Sequence, residues 1–146
     1  MFANWKSVSL FACSLGAYFS LQAYKDITFE KCFFLSPIVN MEYLIKNMFQ
    51  WFYVMEEMLY TKREIQTSID TLSWDYYPYV KKNPITRWSS PTYILYGGKD
   101  NLQSLQVIEN FAKSNPVSLI ISEQSEHSFM GNEDDKIIRS WICDNL

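Results

Sequence analysis

Cysteine, glycine, histidine and cationic charge are all scarce in this chain, and each shortage closes off a class of protein. Three cysteines, Cys13, Cys32 and Cys143, are too few and too scattered over 146 residues for a disulfide framework, and their number is odd. A reducing compartment follows as the expectation, so the chain reads as cytoplasmic. Thirteen Lys and Arg stand against sixteen Asp and Glu, a net charge of −3. No basic stripe is available to neutralise phosphates, and nucleic acid is not an expected partner. No stretch approaches the ~18 uninterrupted apolar residues of a membrane span. The four glycines, Gly16, Gly97, Gly98 and Gly131, form no phosphate-cradling loop. With one histidine, His127, there is no cluster of metal ligands, so neither a metal nor a cofactor is expected. Repeats and low-complexity tracts are missing as well.

What remains is an ordinary globular composition, 48% apolar and 20% charged, of a length suited to one domain over residues 1–146. The aromatic share of 17% is high and fits a large apolar cavity or an interface. Apolar runs predict strands over Ser7–Cys13 and Phe29–Leu35, joined by a helix over Leu15–Tyr24, a βαβ unit and hence a parallel sheet. From Asn40 to about Leu59 apolar residues fall at helical spacing, and a second helical stretch is expected from Arg63 to Leu72. Trp74–Tyr79 reads as irregular, and Lys81–Pro84 as a turn. Alternation then resumes with a strand over Pro91–Tyr96, a helix over Leu102–Ser114, a strand over Val117–Ile121 and a helix over Asp134–Ile142. The fold class expected is α/β, with about four parallel strands, flanking helices and a helical insertion over residues 40–86.

The most informative run is Ala12-Cys13-Ser14-Leu15-Gly16. An apolar strand ends at a Ser between small residues and a helix follows, the layout of a nucleophile elbow, G-x-S-x-G in relaxed form. Ala12 and Gly16 are expected to allow close approach of strand and helix. Two other readings compete: an ordinary turn serine, and a lipoprotein signal with Lys6 as its charge and Cys13 as the lipidated residue. The apolar core Val8–Ala12 is too short for a signal of ~7–15 residues, and Phe11 is bulky for a cleavage site. Cys13 itself precedes the elbow position, so its side chain should point away from the site. Ser14, Asp100 and His127 each lie just past the carboxyl end of a predicted parallel strand, where open sheets place their ligand sites. Taken singly, Asp100 also reads as a turn or helix cap ahead of Leu102, and His127 as a solvated loop residue.

In the order Ser, Asp, His, these residues resemble the catalytic set of the α/β-hydrolases, in their esterase, lipase and serine-aminopeptidase-like branch. The matching segments are Ala12–Gly16, Tyr96-Gly97-Gly98-Lys99-Asp100 and Glu126-His127-Ser128-Phe129, and the insertion falls where that family carries its lid. The resemblance implies a serine hydrolase acting on an ester, thioester or small amide. Ser14 would be the nucleophile, His127 the base and Asp100 the orienting acid, with the Leu15 N–H as an oxyanion donor. Met48, Trp51, Phe52 and Met55 of the cap would line a pocket for an apolar acyl substrate, although core packing explains a Met- and aromatic-rich block equally well. The resemblance covers the second half of the family fold. It implies that the loop with the second oxyanion donor is lacking, and that the elbow strand forms an apolar edge. A missing N-terminal half or a second copy in a homodimer would cover that edge. An alternative function follows: a catalytically impaired fragment that serves as a binding module.

Overall fold

The computed structural model describes residues 5–146. In chain order its elements are β1 (Leu10–Cys13), α1 (Leu15–Ala23), β2 (Cys32–Leu35), α2 (Met41–Trp51), α3 (Glu56–Lys62), β3 (Glu64–Gln66), β4 (Thr71–Ser73), α4 (Tyr76–Lys82), β5 (Thr92–Gly97), α5 (Leu105–Ser114), β6 (Val117–Ser122) and α6 (Asp134–Asn145). They fall into two compact units. One runs up to Val39 and resumes over Ile85–Leu146; the other is Asn40–Pro84.

The first unit carries a four-stranded sheet in the order β1-β2-β5-β6, with every pairing parallel. Successive side chains of a strand point to opposite faces, and here both faces are covered. Cys32, Phe34, Ile94 and Tyr96 pack with Ala17 and Leu21 of α1 and with Ile108 and Phe111 of α5. Phe33 and Leu95 face the other way and pack with Trp141 of α6. Double coverage is why β2 and β5 read as continuous apolar runs instead of alternating ones. Trp88 anchors the first layer: it is fully buried, lies against Phe29 and Phe34, and donates its indole N–H to Thr92 Oγ1 at 2.8 Å.

The second unit differs in detail from the helical insertion expected over 40–86. The helix anticipated over Asn40–Leu59 breaks after Trp51. Tyr53 takes φ 52°, and the N–H groups of Tyr53 and Val54 return to the carbonyls of Gln50 and Phe49. That is a Schellman ending in which a tyrosine occupies the place usually held by glycine. Arg63–Leu72 is no helix; its ends form the antiparallel hairpin β3–β4. Thr67 organises the connecting loop, its Oγ1 donating to the Asp70 carbonyl and accepting from the Ile69 and Asp70 N–H groups. A hydroxyl thus does what a Gly-containing turn would have announced. Trp74–Tyr79, read as irregular, contains the start of α4. Pro78 is its third residue, still in the first turn, where a missing N–H breaks no helical bond. Further on, α5 starts at Leu105 and not at Leu102, because Ser104 supplies the cap to Val107 N–H.

Candidate active site

Ser14 joins β1 to α1 in a conformation, φ 50° and ψ −124°, that L-residues rarely adopt. Such backbone strain costs of order 1–3 kcal/mol and persists where the surroundings fix it. They do so here from two sides. Ser14 N–H donates to Leu35 O at 3.1 Å, and Ser14 O accepts from Ala17 N–H and Ile38 N–H, each at 3.1 Å. Leu15 is the first residue of α1, so its N–H has no acceptor within the helix.

His127 lies in the turn after β6 and Asp100 in the turn after β5, and the fold brings both to Ser14. Ser14 Oγ is 2.8 Å from His127 Nε2, and His127 Nδ1 is 2.7 Å from Asp100 Oδ2. A carboxylate can only accept, so Nδ1 carries the hydrogen and Nε2 is left to accept the hydroxyl proton of Ser14. The Asp100 side chain is wholly buried and that of His127 is 18% exposed. The competing reading of Asp100 as a turn residue holds at the same time. Its Oδ1 accepts from Leu102 N–H at 2.8 Å and Gln103 N–H at 3.3 Å, which leaves Oδ2 for the imidazole.

Gly97 and Gly98 let the two loops meet. A Cβ on Gly97 would sit 2.6 Å from Ser125 O, and one on Gly98 would sit 2.8 Å from Glu123 Cα. Across that gap Gly98 N–H donates to Ser122 O and Lys99 N–H to Ser125 O. The histidine loop is then tied to α6. The Ser125 hydroxyl donates to the buried Asp134 carboxylate, whose other oxygen accepts from Gly131 N–H at 2.7 Å. No spacing in the sequence announces the bond from Asp134 to Ser125, nor Gln103, a fully buried side chain whose Oε1 accepts from Val39 N–H at 3.1 Å.

Gly16 needs correcting. It was expected to give close packing, yet a Cβ there would meet nothing within 4 Å, while Ala17 beside it is fully buried. Cys13 is exposed, and partial desolvation raises its thiol pKa, the opposite of what an activated sulfur nucleophile needs. Of the four expected substrate-contacting residues, Met48 is buried in α2 and Trp51 is part-exposed at its end. Phe52 caps that helix, and Met55, largely exposed, precedes α3. A cleft of about 360 Å³ opens beside His127, lined by Lys99, Asn101, Leu102, Glu126 and Ser128. Among the described residues no three His, Cys, Asp or Glu side chains are grouped to hold a metal ion, and no helix is long and apolar enough to cross a membrane.

No family model matches the chain, and no curated protein does. Solved structures do. Alpha/beta hydrolase domain-containing protein 10 from mouse superposes with a TM-score of 0.72 at 15% identity, over 98% of this chain and 64% of that one. For a putative hydrolase from Agrobacterium vitis S4 the values are 0.74 and 13%, over 93% and 60%. For an esterase of Pyrococcus furiosus they are 0.65 and 15%, over 98% and 56%. The chain spans less than two thirds of the length of each of these three structures. The likeness is one of fold: the chain has part of the α/β-hydrolase fold.

Proposed function

We propose that the chain is a serine hydrolase that cleaves an ester, thioester or small amide through an acyl-enzyme on Ser14. The observation that carries this reading is the continuous relay from Ser14 Oγ to His127 Nε2 and from His127 Nδ1 to Asp100 Oδ2, at 2.8 and 2.7 Å. As Ser14 Oγ attacks the substrate carbonyl carbon, its proton passes to Nε2, and the buried Asp100 carboxylate stabilises the imidazolium. The carbonyl oxygen gains the negative charge, and the Leu15 N–H at the start of α1 stabilises it. Collapse of the tetrahedral species breaks the bond to the leaving group, which takes the proton from Nε2. Water then repeats the cycle: it loses a proton to Nε2, attacks the acyl carbon and releases the acid, and the proton returns to Ser14. The cleft beside His127 is open to the leaving group or the incoming water. Trp51 and Met55 expose apolar, polarisable surface of the kind that takes up acyl groups, whereas Met48 is buried within α2.

The test is a fluorophosphonate probe, which phosphonylates an activated serine. Labelling of the unaltered protein is expected, with complete loss in Ser14→Ala and a drop of about 10³-fold or more in His127→Ala. A folded sample that takes up no label would favour the alternative, a binding module lacking catalytic machinery. The observation in favour of that alternative is the chain's coverage of only 56–64% of the three structures above.

A further inference from the structure

The hydrogen bonds around the site close into a ring, and one side chain of the ring, that of Gln103, has no part in the relay. From Ser14 Oγ the ring passes through His127 to Asp100 Oδ2. It leaves Asp100 by Oδ1, which accepts from Gln103 N–H at 3.3 Å. The Gln103 side chain crosses to the segment after β2, where its Oε1 accepts from Val39 N–H at 3.1 Å. The preceding residue, Ile38, donates its N–H to Ser14 O at 3.1 Å, which returns the ring to the elbow. Gln103 is fastened at its remaining polar groups as well. Its Nε2 donates to Leu102 O at 3.0 Å, and its carbonyl accepts from the Tyr96 hydroxyl at 2.8 Å. The side chain is fully buried, so loss of its oxygen would leave Val39 N–H buried without that acceptor.

We infer that Gln103 is a positioning residue, which sets the separation between the acid turn and the elbow and so holds Asp100 Oδ2 at the imidazole. The inference rests on the serine-hydrolase reading for its purpose but not for its test. A buried polar chain of this kind is informative because each bond restricts the next. Without the Gln103–Val39 link, the Asp100 turn loses a buried tie to the segment after β2, and the sheet pairings and the His127 bond are left to set its place. The Asp100–His127 bond then loosens, and the charged imidazole loses part of its stabilisation.

His127 is the one histidine in the chain, so its ring protons can be followed by NMR without assignment ambiguity. The proton on Nδ1, held at Asp100 Oδ2, reports their bond directly: the tighter the bond, the further downfield it resonates and the more slowly it exchanges with water. In Gln103→Met, which keeps the length and loses the acceptor, that resonance should move upfield or broaden through exchange. Fluorophosphonate labelling should slow by roughly tenfold. Gln103→Glu keeps an oxygen for Val39 N–H and should leave the resonance near its place in the unaltered protein. A folded Gln103→Met with an unchanged resonance overturns the inference. Should that variant fail to fold, amide exchange at Val39 in the unaltered protein decides: strong protection supports the link, and exchange as fast as at an exposed amide overturns it. If the unaltered protein takes no label at all, the hydrolase reading fails, while the His127 Nδ1 proton still tests Gln103.

Discussion

Strain in this molecule is carried by residues with side chains, not by its glycines. Among the described residues five non-glycines have positive φ, including Ser14, Ser36 and Phe129, and no glycine does. The glycines separate accordingly. Gly97→Ala drives a methyl group into the Ser125 and Glu126 carbonyls. It should cost about 1–3 kcal/mol by denaturant titration and slow labelling of Ser14. Gly16→Ala enters open space inside a helix and should stabilise by about 0.5–1 kcal/mol. A loss of stability there would mean that α1 packs closely against a neighbour at Gly16. The thiols give a pH prediction. Burial pushes Cys32 from its ordinary 9.0 up to about 11, so the folded state favours the neutral thiol. Its contribution to stability is complete below pH 9 and is lost as pH rises towards 11. Chemical denaturation across that window should show the decline, and Cys32→Ala should flatten part of it.

Among the elements, the histidine loop is held to α6 by the Asp134 carboxylate and by Phe129, which packs with Trp141. Asp134→Asn keeps the shape but cannot accept from both Ser125 and Gly131. Labelling of Ser14 should slow by roughly tenfold, with a stability loss of about 1–3 kcal/mol. An unchanged rate would show that the loop holds His127 without the Asp134 carboxylate. The sheet-bearing elements could be read from the chain because apolar runs such as Cys32–Leu35 and the helical spacing of Ile108 and Phe111 are local signals. Within Asn40–Pro84 the helix ends and the hairpin are not legible in the sequence, because the breaks fall at Tyr53, Arg63 and Thr67, without the Gly or Pro that marks a turn. The three site residues were readable as strand-end positions. Gln103 and Asp134 were not, since their partners Val39 and Ser125 are joined to them by tertiary folding and not by spacing.

For the whole molecule the sheet's first edge matters most. Among the described residues β1 has one neighbour, β2. Leu10 and Ser14 donate towards β2, so alternation turns the main-chain groups of Phe11 and Cys13 to the other side. Phe11 is 50% exposed there, against Trp141. An apolar edge of this kind invites pairing. Sedimentation velocity over a concentration series should show association that Phe11→Lys weakens, and a monomer at every concentration would sink the idea. The link from Gln103 to Val39 has a consequence of another sort. It meets the chain at a main-chain amide one residue before the insertion Asn40–Pro84 begins. Every residue type except proline presents that amide, so position 39 can vary without the site registering it, within the limits of its buried space. The insertion can likewise be lengthened or exchanged, provided that its first residue leaves from the same point. The site is fastened to the one part of the neighbouring chain that substitution cannot easily remove.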